Sequence, residues 1–182
     1  MDLGRPWVLR GLVIALAVVV GVVAYVATSG GDDEQAAPAE QGEAAARIVS
    51  EEELADVAST SETPVYWAGE MDGAEIELTE EADSVLVRYL EEDDEVGAAR
   101  AQRIAIGSYA LPNPRKALNA FAETPGATMT EAAGVGKVVI SPGARKNVYF
   151  VDPDNEVQVE VYAPDAKQAI GLVRSGKVQP VG

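Results

Sequence analysis

The sequence predicts an α+β domain: a mainly antiparallel sheet of about seven to eight strands with three helices, preceded by one transmembrane helix. Three observations point there. The run Gly11–Ala27 contains no charged or amide side chain. Short segments of strict apolar–polar alternation recur from residue 65 to the C-terminus, which fits antiparallel strands with one face on a core and one in water. Helical segments are few and do not alternate with the strands, so no βαβ rhythm arises.

Residues 11–28 are expected to span the membrane. Seventeen apolar positions are at the short end, since about 20 residues at about 1.5 Å each cross a ~30 Å hydrocarbon core. Trp7, Val8 and Leu9 extend the stretch, and Arg10 can snorkel to the headgroups. Trp7 and Tyr25 sit near the two ends, where amphipathic rings suit the interface. Arg5 and Arg10 precede the run and Asp32, Asp33 and Glu34 come after it. The positive-inside rule therefore makes residues 1–10 a short cytoplasmic tail and puts everything after Thr28 outside the cell membrane. The alternative is a cleaved signal peptide, whose apolar core of about 7–15 residues would be shorter. Tyr25 makes Tyr25-Val26-Ala27 a poor cleavage site, although Ala27-Thr28-Ser29 is passable. Either route exports the rest of the chain. A cysteine-linked lipid anchor is excluded, because there is no cysteine.

Residues 29–47 are rich in Gly, Ala, Pro, Glu and Gln and are expected to form a disordered acidic linker with a reach of about 25 Å. Residues 48–182, 135 in all, form one domain's worth of chain, able to bury a core without disulfides. Acid is unevenly spread along it. Ile48–Ala99 carries 17 Asp and Glu against the single base Arg88, a net of −16. Arg100–Gly182 carries 7 acids against 10 bases, a net of +3. Nucleic acid is therefore not an expected partner, since phosphate binding needs concentrated Lys and Arg, and adhesion to anionic lipid is disfavoured too. The acid either keeps the domain soluble or presents a face to a basic protein, another envelope partner or divalent cations.

The elements come in this order. Ser50 as N-cap and Glu53 three residues on form a capping box, with Val49 and Leu54 as a hydrophobic staple, so a helix should start at Glu51 and run to about Ser59. Strands are expected at 65–67, 75–79, 85–90 and 103–109. Asn113-Pro114 opens a second helix with the stripe Ala117, Leu118 and Phe121, and Thr124-Pro125-Gly126 stops it. Further strands are expected at 137–140, 147–151 and 157–162. A third helix starts at Pro164, buries Ala166, Ala169, Ile170 and Val173, and ends at Gly176; residues 177–181 can add a closing strand. One echo stands out. Val65-Tyr66-Trp67 and Ile76-Glu77-Leu78 lie 83 residues before Val148-Tyr149-Phe150 and Val159-Glu160-Val161, which would make two hairpins of one phase and suggests internal duplication.

Chemistry is constrained by what is missing. With no histidine and no cysteine, imidazole bases, His ligands and thiol nucleophiles are excluded. Neither a cofactor nor a metal site is expected. Gly171–Lys177 matches part of a phosphate-binding loop, but Val178 stands where Ser or Thr is needed and a helix precedes it, so Gly176 reads as a helix cap. Asp152-Pro-Asp154-Asn-Glu156 opens like a calcium loop, yet Val157 and Ala163 occupy the positions that need Gly and Glu, so it reads as a hairpin turn. A paired-carboxylate glycosidase is compatible with the residue types. It would need an aromatic cleft, and Tyr66, Trp67, Tyr89, Tyr109, Tyr149 and Tyr162 read better as core or cross-strand pairs. The candidate interaction surface is therefore the acidic run Glu91, Glu92, Asp93, Asp94 and Glu95, together with Tyr66 and Trp67.

Pro64-Val-Tyr-Trp-Ala-Gly69, Glu77-Leu-Thr79, Val87-Arg-Tyr-Leu90, Ile106-Gly-Ser-Tyr109, Gln158-Val-Glu-Val-Tyr162 and Ser175-Gly176 together resemble an exported domain of predicted single-pass membrane proteins from high-GC bacteria. The resemblance covers residues 50–181. It implies one exported domain and carries over no activity and no catalytic residue; Glu91–Glu95 looks like an elaboration of this chain. The expected function is a non-catalytic extracytoplasmic binding or assembly module tethered to the cell membrane. The alternatives are a small envelope hydrolase using carboxylates and the sensing ectodomain of a membrane complex.

Overall fold

The structure is a computed structural model and describes residues 45–98, 103–142 and 147–182. The expected cytoplasmic tail, the transmembrane helix and the linker up to residue 44 lie outside the described residues. Among the described residues no helix is long and apolar enough to cross a membrane.

Among the described residues three helices and ten strands form, in the order β1 (Arg47–Val49), α1 (Glu51–Thr60), β2 (Tyr66–Trp67), β3 (Glu75–Glu81), β4 (Ser84–Leu90), β5 (Ala105–Tyr109), α2 (Pro114–Ala122), β6 (Thr128–Ala132), β7 (Gly136–Ile140), β8 (Asn147–Val151), β9 (Gln158–Tyr162), α3 (Ala166–Arg174) and β10 (Gln179–Pro180). Eight strands make one sheet in the order β1-β3-β4-β5-β9-β8-β7-β6, and β10 pairs with β2 separately. Every pairing is antiparallel. The α+β reading therefore holds, with its sheet at eight strands.

The capping box forms as the sequence indicates: the Ser50 side chain accepts from the Glu53 N–H and the Glu53 carboxylate accepts from the Ser50 N–H at 2.7 Å. Asn113 precedes α2 but makes no side-chain cap bond, leaving Pro114 to set the first turn. The third helix begins at Ala166 rather than Pro164, because Asp165 caps it by accepting from the Lys167 N–H. It closes at Gly176, whose φ of 69° suits a residue without Cβ. The domain starts earlier than expected, since Arg47 already pairs with Leu78 in β1.

Two strands are not legible in the sequence. β1 starts on the last residue of the expected linker and is too short to register, and β6, Thr-Met-Thr-Glu-Ala, has too little apolar alternation. The hairpin echo also fails on its first half. β8 and β9 do pair as a hairpin, but β2 pairs with β10 and not with β3.

Alternation divides the large sheet into two faces. Ile76, Leu78, Val85, Val87, Tyr89, Ile106, Val138, Val148, Phe150, Val159 and Val161 share the core face, where they pack with Leu54 of α1 and Ala169 and Val173 of α3. On the opposite face α2 covers the far end, setting Leu118 and Phe121 against Val139, Tyr149 and Val151. The middle and near end of that second face carry Glu77, Arg88, Tyr109, Asn147, Gln158 and Glu160 in register.

Candidate functional site

Three groups of polar side chains stand out on and beside this second face. The first is a buried ion pair. Glu77 of β3 is 1% exposed and sits directly across from Arg88 of β4. The Arg88 Nη2 lies 2.5 Å from Glu77 Oε1 and its Nε donates to the same oxygen at 2.6 Å. The remaining valences reach the segment after β4. The Gly97 N–H donates to Glu77 Oε2 at 2.7 Å, and Arg88 Nη1 donates to the Ala98 carbonyl at 2.6 Å.

The second group is the acidic run itself. Residues 91–94 form a turn closed by the Asp94 N–H on the Glu91 carbonyl, and 95–98 form another closed by the Ala98 N–H on the Glu95 carbonyl. Asp94 turns inward. Its side chain is 2% exposed, it accepts from the Glu91 N–H at 2.9 Å, and it receives a two-pronged bond from Arg103 through Nε and Nη2. Arg103 also reaches the Glu91 carboxylate at 3.2 Å. Glu91, Glu92, Asp93 and Glu95 remain exposed, and Val96 beside them is 48% exposed. A fork–fork guanidinium–carboxylate contact fixes orientation as well as proximity. The run is therefore a pinned loop displaying four exposed carboxylates beside the half-exposed Val96. Ile48, also exposed, stands across from Glu77 on β1, and Gly97 lies against Ala46 just before it.

Tyr66 and Trp67 do not join this surface. Tyr66 is 1% exposed, its ring edge-on to Phe150 at 6.4 Å, with its hydroxyl accepting from Asn155 Nδ2 at 3.1 Å. Burial drives its hydroxyl well above the ordinary tyrosine range. Trp67 is half-buried against the core and pairs with Gln179. Of the seven candidate positions, then, Glu91, Glu92, Asp93 and Glu95 form one exposed group, Asp94 anchors it, and the two aromatics belong to the core side of the sheet.

The third group is absent from the sequence-derived candidates. Glu160 of β9, 4% exposed, receives Tyr149 Oη on Oε1 at 2.8 Å, Tyr109 Oη on Oε2 at 3.0 Å, and the Asn147 amide. Glycine makes room for this. Gly107 stands across from Glu160, and a Cβ there would come within 2.6 Å of the Tyr109 hydroxyl. The Tyr109 ring thus lies flat over its own strand to reach the carboxylate. Burial, and then the Glu160 charge, hold the Tyr109 hydroxyl well above its ordinary range. The signal available in sequence is Val-Glu-Val, a carboxylate between two β-branched apolar residues, with Asn147, Tyr149 and Tyr109 elsewhere in the chain able to donate.

Two further observations bear on chemistry. Every buried side-chain nitrogen or oxygen among the described residues has a hydrogen-bond partner. No three acidic side chains among them converge as a metal site would require. Asp152–Glu156 is a hairpin turn, with Asp152 Oδ1 accepting from the Asp154 and Asn155 N–H groups at 2.8 Å each. No family model, no curated protein and no solved structure matches the chain.

Proposed function

We propose that the chain is a non-catalytic extracytoplasmic binding module, held at the cell membrane by one N-terminal helix over residues 11–28, which presents the pinned acidic loop to a basic partner in the envelope. The observation that carries this reading is the division of labour within Glu91–Glu95. One carboxylate, Asp94, is buried to hold the loop; Glu91 is exposed while paired with Arg103, and Glu92, Asp93 and Glu95 face water from the turns it anchors. A charged group held in place loses less conformational freedom on binding than one on a flexible tail. Val96, half-exposed next to Glu95, adds an apolar contact to the polar group.

The hydrolase alternative needs a carboxylate open to substrate. Glu77, Asp94 and Glu160 are each committed to several internal bonds. The reading of the module as a sensing ectodomain shares the same surface and differs only in the response that binding triggers.

The test is a capture experiment on native envelope with the full-length chain, coupled to mass spectrometry. The loop-neutral variant Glu91→Ser, Glu92→Ser, Asp93→Asn, Glu95→Ser should fold and lose a basic protein that the wild type retains. Identical capture by the two would overturn the proposal. Protease added to intact spheroplasts should remove the domain and leave a membrane-embedded stub; full protection would overturn the orientation, and a mature N-terminus near Gly30 would overturn the uncleaved anchor.

A further inference from the structure

The sheet order separates charge in space as well as in sequence. The first half of the domain supplies β1, β3, β4 and β5, and the second half supplies β9, β8, β7 and β6. The acid-rich half of the chain therefore occupies one side of the sheet and the mildly basic half the other. The two terminal strands inherit opposite characters. β1 is three residues long, begins with Arg47 bound to Glu80, and leads directly into the acidic first turn of α1. Short length and charge are the usual protections of a sheet edge. β6 is longer and less charged, although Arg174 of α3 reaches it by donating to the Thr130 hydroxyl at 2.9 Å. It runs for five residues, Thr-Met-Thr-Glu-Ala, with Met129 58% exposed. Its own one charge, Glu131, stands directly across from Lys137 on β7, whose amine donates to Asn119 Oδ1 at 2.6 Å. Among the described residues no strand lies beyond it.

We infer that β6 is a self-association edge, on which a second copy of this chain adds its own β6 antiparallel about a two-fold axis. Charge decides the occupant. Through the β1 edge, two copies would bring their acid-rich halves together. Through β6, the seven strand spacings of each sheet, about 4.8 Å apiece, put the two acidic margins roughly 70 Å from each other. That is many times the Debye length of about 8 Å at physiological ionic strength, so the net charge offers little opposition. Centred on Thr130, the pairing sets Thr130, whose hydroxyl accepts from Arg174, against its copy and brings the two Met129 side chains into diagonal contact on the other face. The product is a continuous antiparallel sheet with an acidic loop at each end. The contact is isologous and closes at two copies. It does not depend on what the acidic loop binds.

A chain without cysteine permits a clean test. Residues facing one another in antiparallel strands lie about 4.5–5.5 Å apart at Cα, within the range a disulfide spans. Full-length Thr130→Cys in mild detergent should become mostly covalent dimer on oxidation, while Ile48→Cys on the opposite edge should stay monomeric. The wild type should sediment at twice the 19.0 kDa chain mass, after allowance for detergent. Met129→Glu, which sets like charge against Glu131 of the second copy at an exposed position, should convert it to monomer. Equal cross-linking at the two edges, or a wild type that sediments as monomer at micromolar concentration, would overturn the inference. A different protein found on this edge would do the same.

Discussion

Replacing Arg88 with Met should be among the costliest single changes in the domain. Arg88 and Glu77 form a pair from which water is nearly excluded, their side chains 7% and 1% exposed. Removing the guanidinium leaves the Glu77 carboxylate to the Gly97 N–H and deprives the Ala98 carbonyl of its side-chain donor. Breaking one member of a buried pair costs about 3–5 kcal/mol. A domain of this size is stable by about 5–15 kcal/mol in all. At roughly 3–5 °C per kcal/mol, the Tm of Arg88→Met should fall by roughly 10–20 °C. Glu77→Leu with Arg88→Met should cost less than Arg88→Met alone, because no buried charge is then stranded. Urea titration of the two single variants and the double gives the coupling, expected at about 1–3 kcal/mol. Amide exchange supplies an independent check, since Glu77→Leu should expose the Gly97 N–H that Glu77 now holds. If Arg88→Met costs under about 1 kcal/mol, or if the double variant is additive, the pair does not fasten the loop to the sheet and the reasoning fails.

Three further outcomes concern the same face and the buried tyrosines. Asp94→Asn should destabilise the chain in a thermal melt, by about 1–3 kcal/mol for a weakened charge-assisted bond, while the four neighbouring neutralisations leave the melt unchanged; equal effects would contradict the pinned loop. Gly107→Ala should cost about 1–3 kcal/mol by driving the Tyr109 ring off Glu160, and Tyr109→Ala in the same chain should absorb most of that loss, so additive losses would show that the ring does not lie over Gly107. Alkali should unfold the domain. Burial raises the hydroxyls of Tyr66, Tyr89 and Tyr109, Tyr89 to about 12 against the opposing hydrogen bond from the Ala68 N–H. The folded chain thus keeps protons that the unfolded chain releases near about pH 10, so stability is intact below that pH and falls as pH rises toward the folded values. Phenolate absorbance of these three should appear together with unfolding; their ionisation in a still-folded chain would contradict the burial argument.

How legible each part is depends on what the backbone gives away locally. α1 is readable because its start lies in four consecutive side chains, and the strands from β3 to β5 because one face is apolar and the other is not. β6 escapes because an exposed edge strand needs no apolar alternation. The partner of β2 escapes because pairing across more than a hundred residues leaves no local trace. The acidic run is legible as charge but not as geometry: nothing in Glu-Glu-Asp-Asp-Glu says which carboxylate turns inward. That is decided by Arg103, which the sequence places nine residues from Asp94 and the fold places beside it. Glu160 escapes for a related reason, since its donors come from β5 and β8, on either side of its own strand.

If the proposed function is right, recognition resides in the position of four carboxylates rather than in net charge. Binding of the full-length chain to an immobilised lysine-rich peptide, measured across ionic strength, separates the two. Glu91→Ser, Glu92→Ser, Asp93→Asn, Glu95→Ser should be compared with a control that removes equal charge elsewhere on the domain surface, namely Glu52→Gln, Asp56→Asn, Glu62→Gln, Asp83→Asn. The loop variant should lose most of the affinity and most of its salt dependence while the control stays close to wild type. Equal losses in the two would mean that the acid acts only through total charge, and recognition by a fixed loop would be wrong.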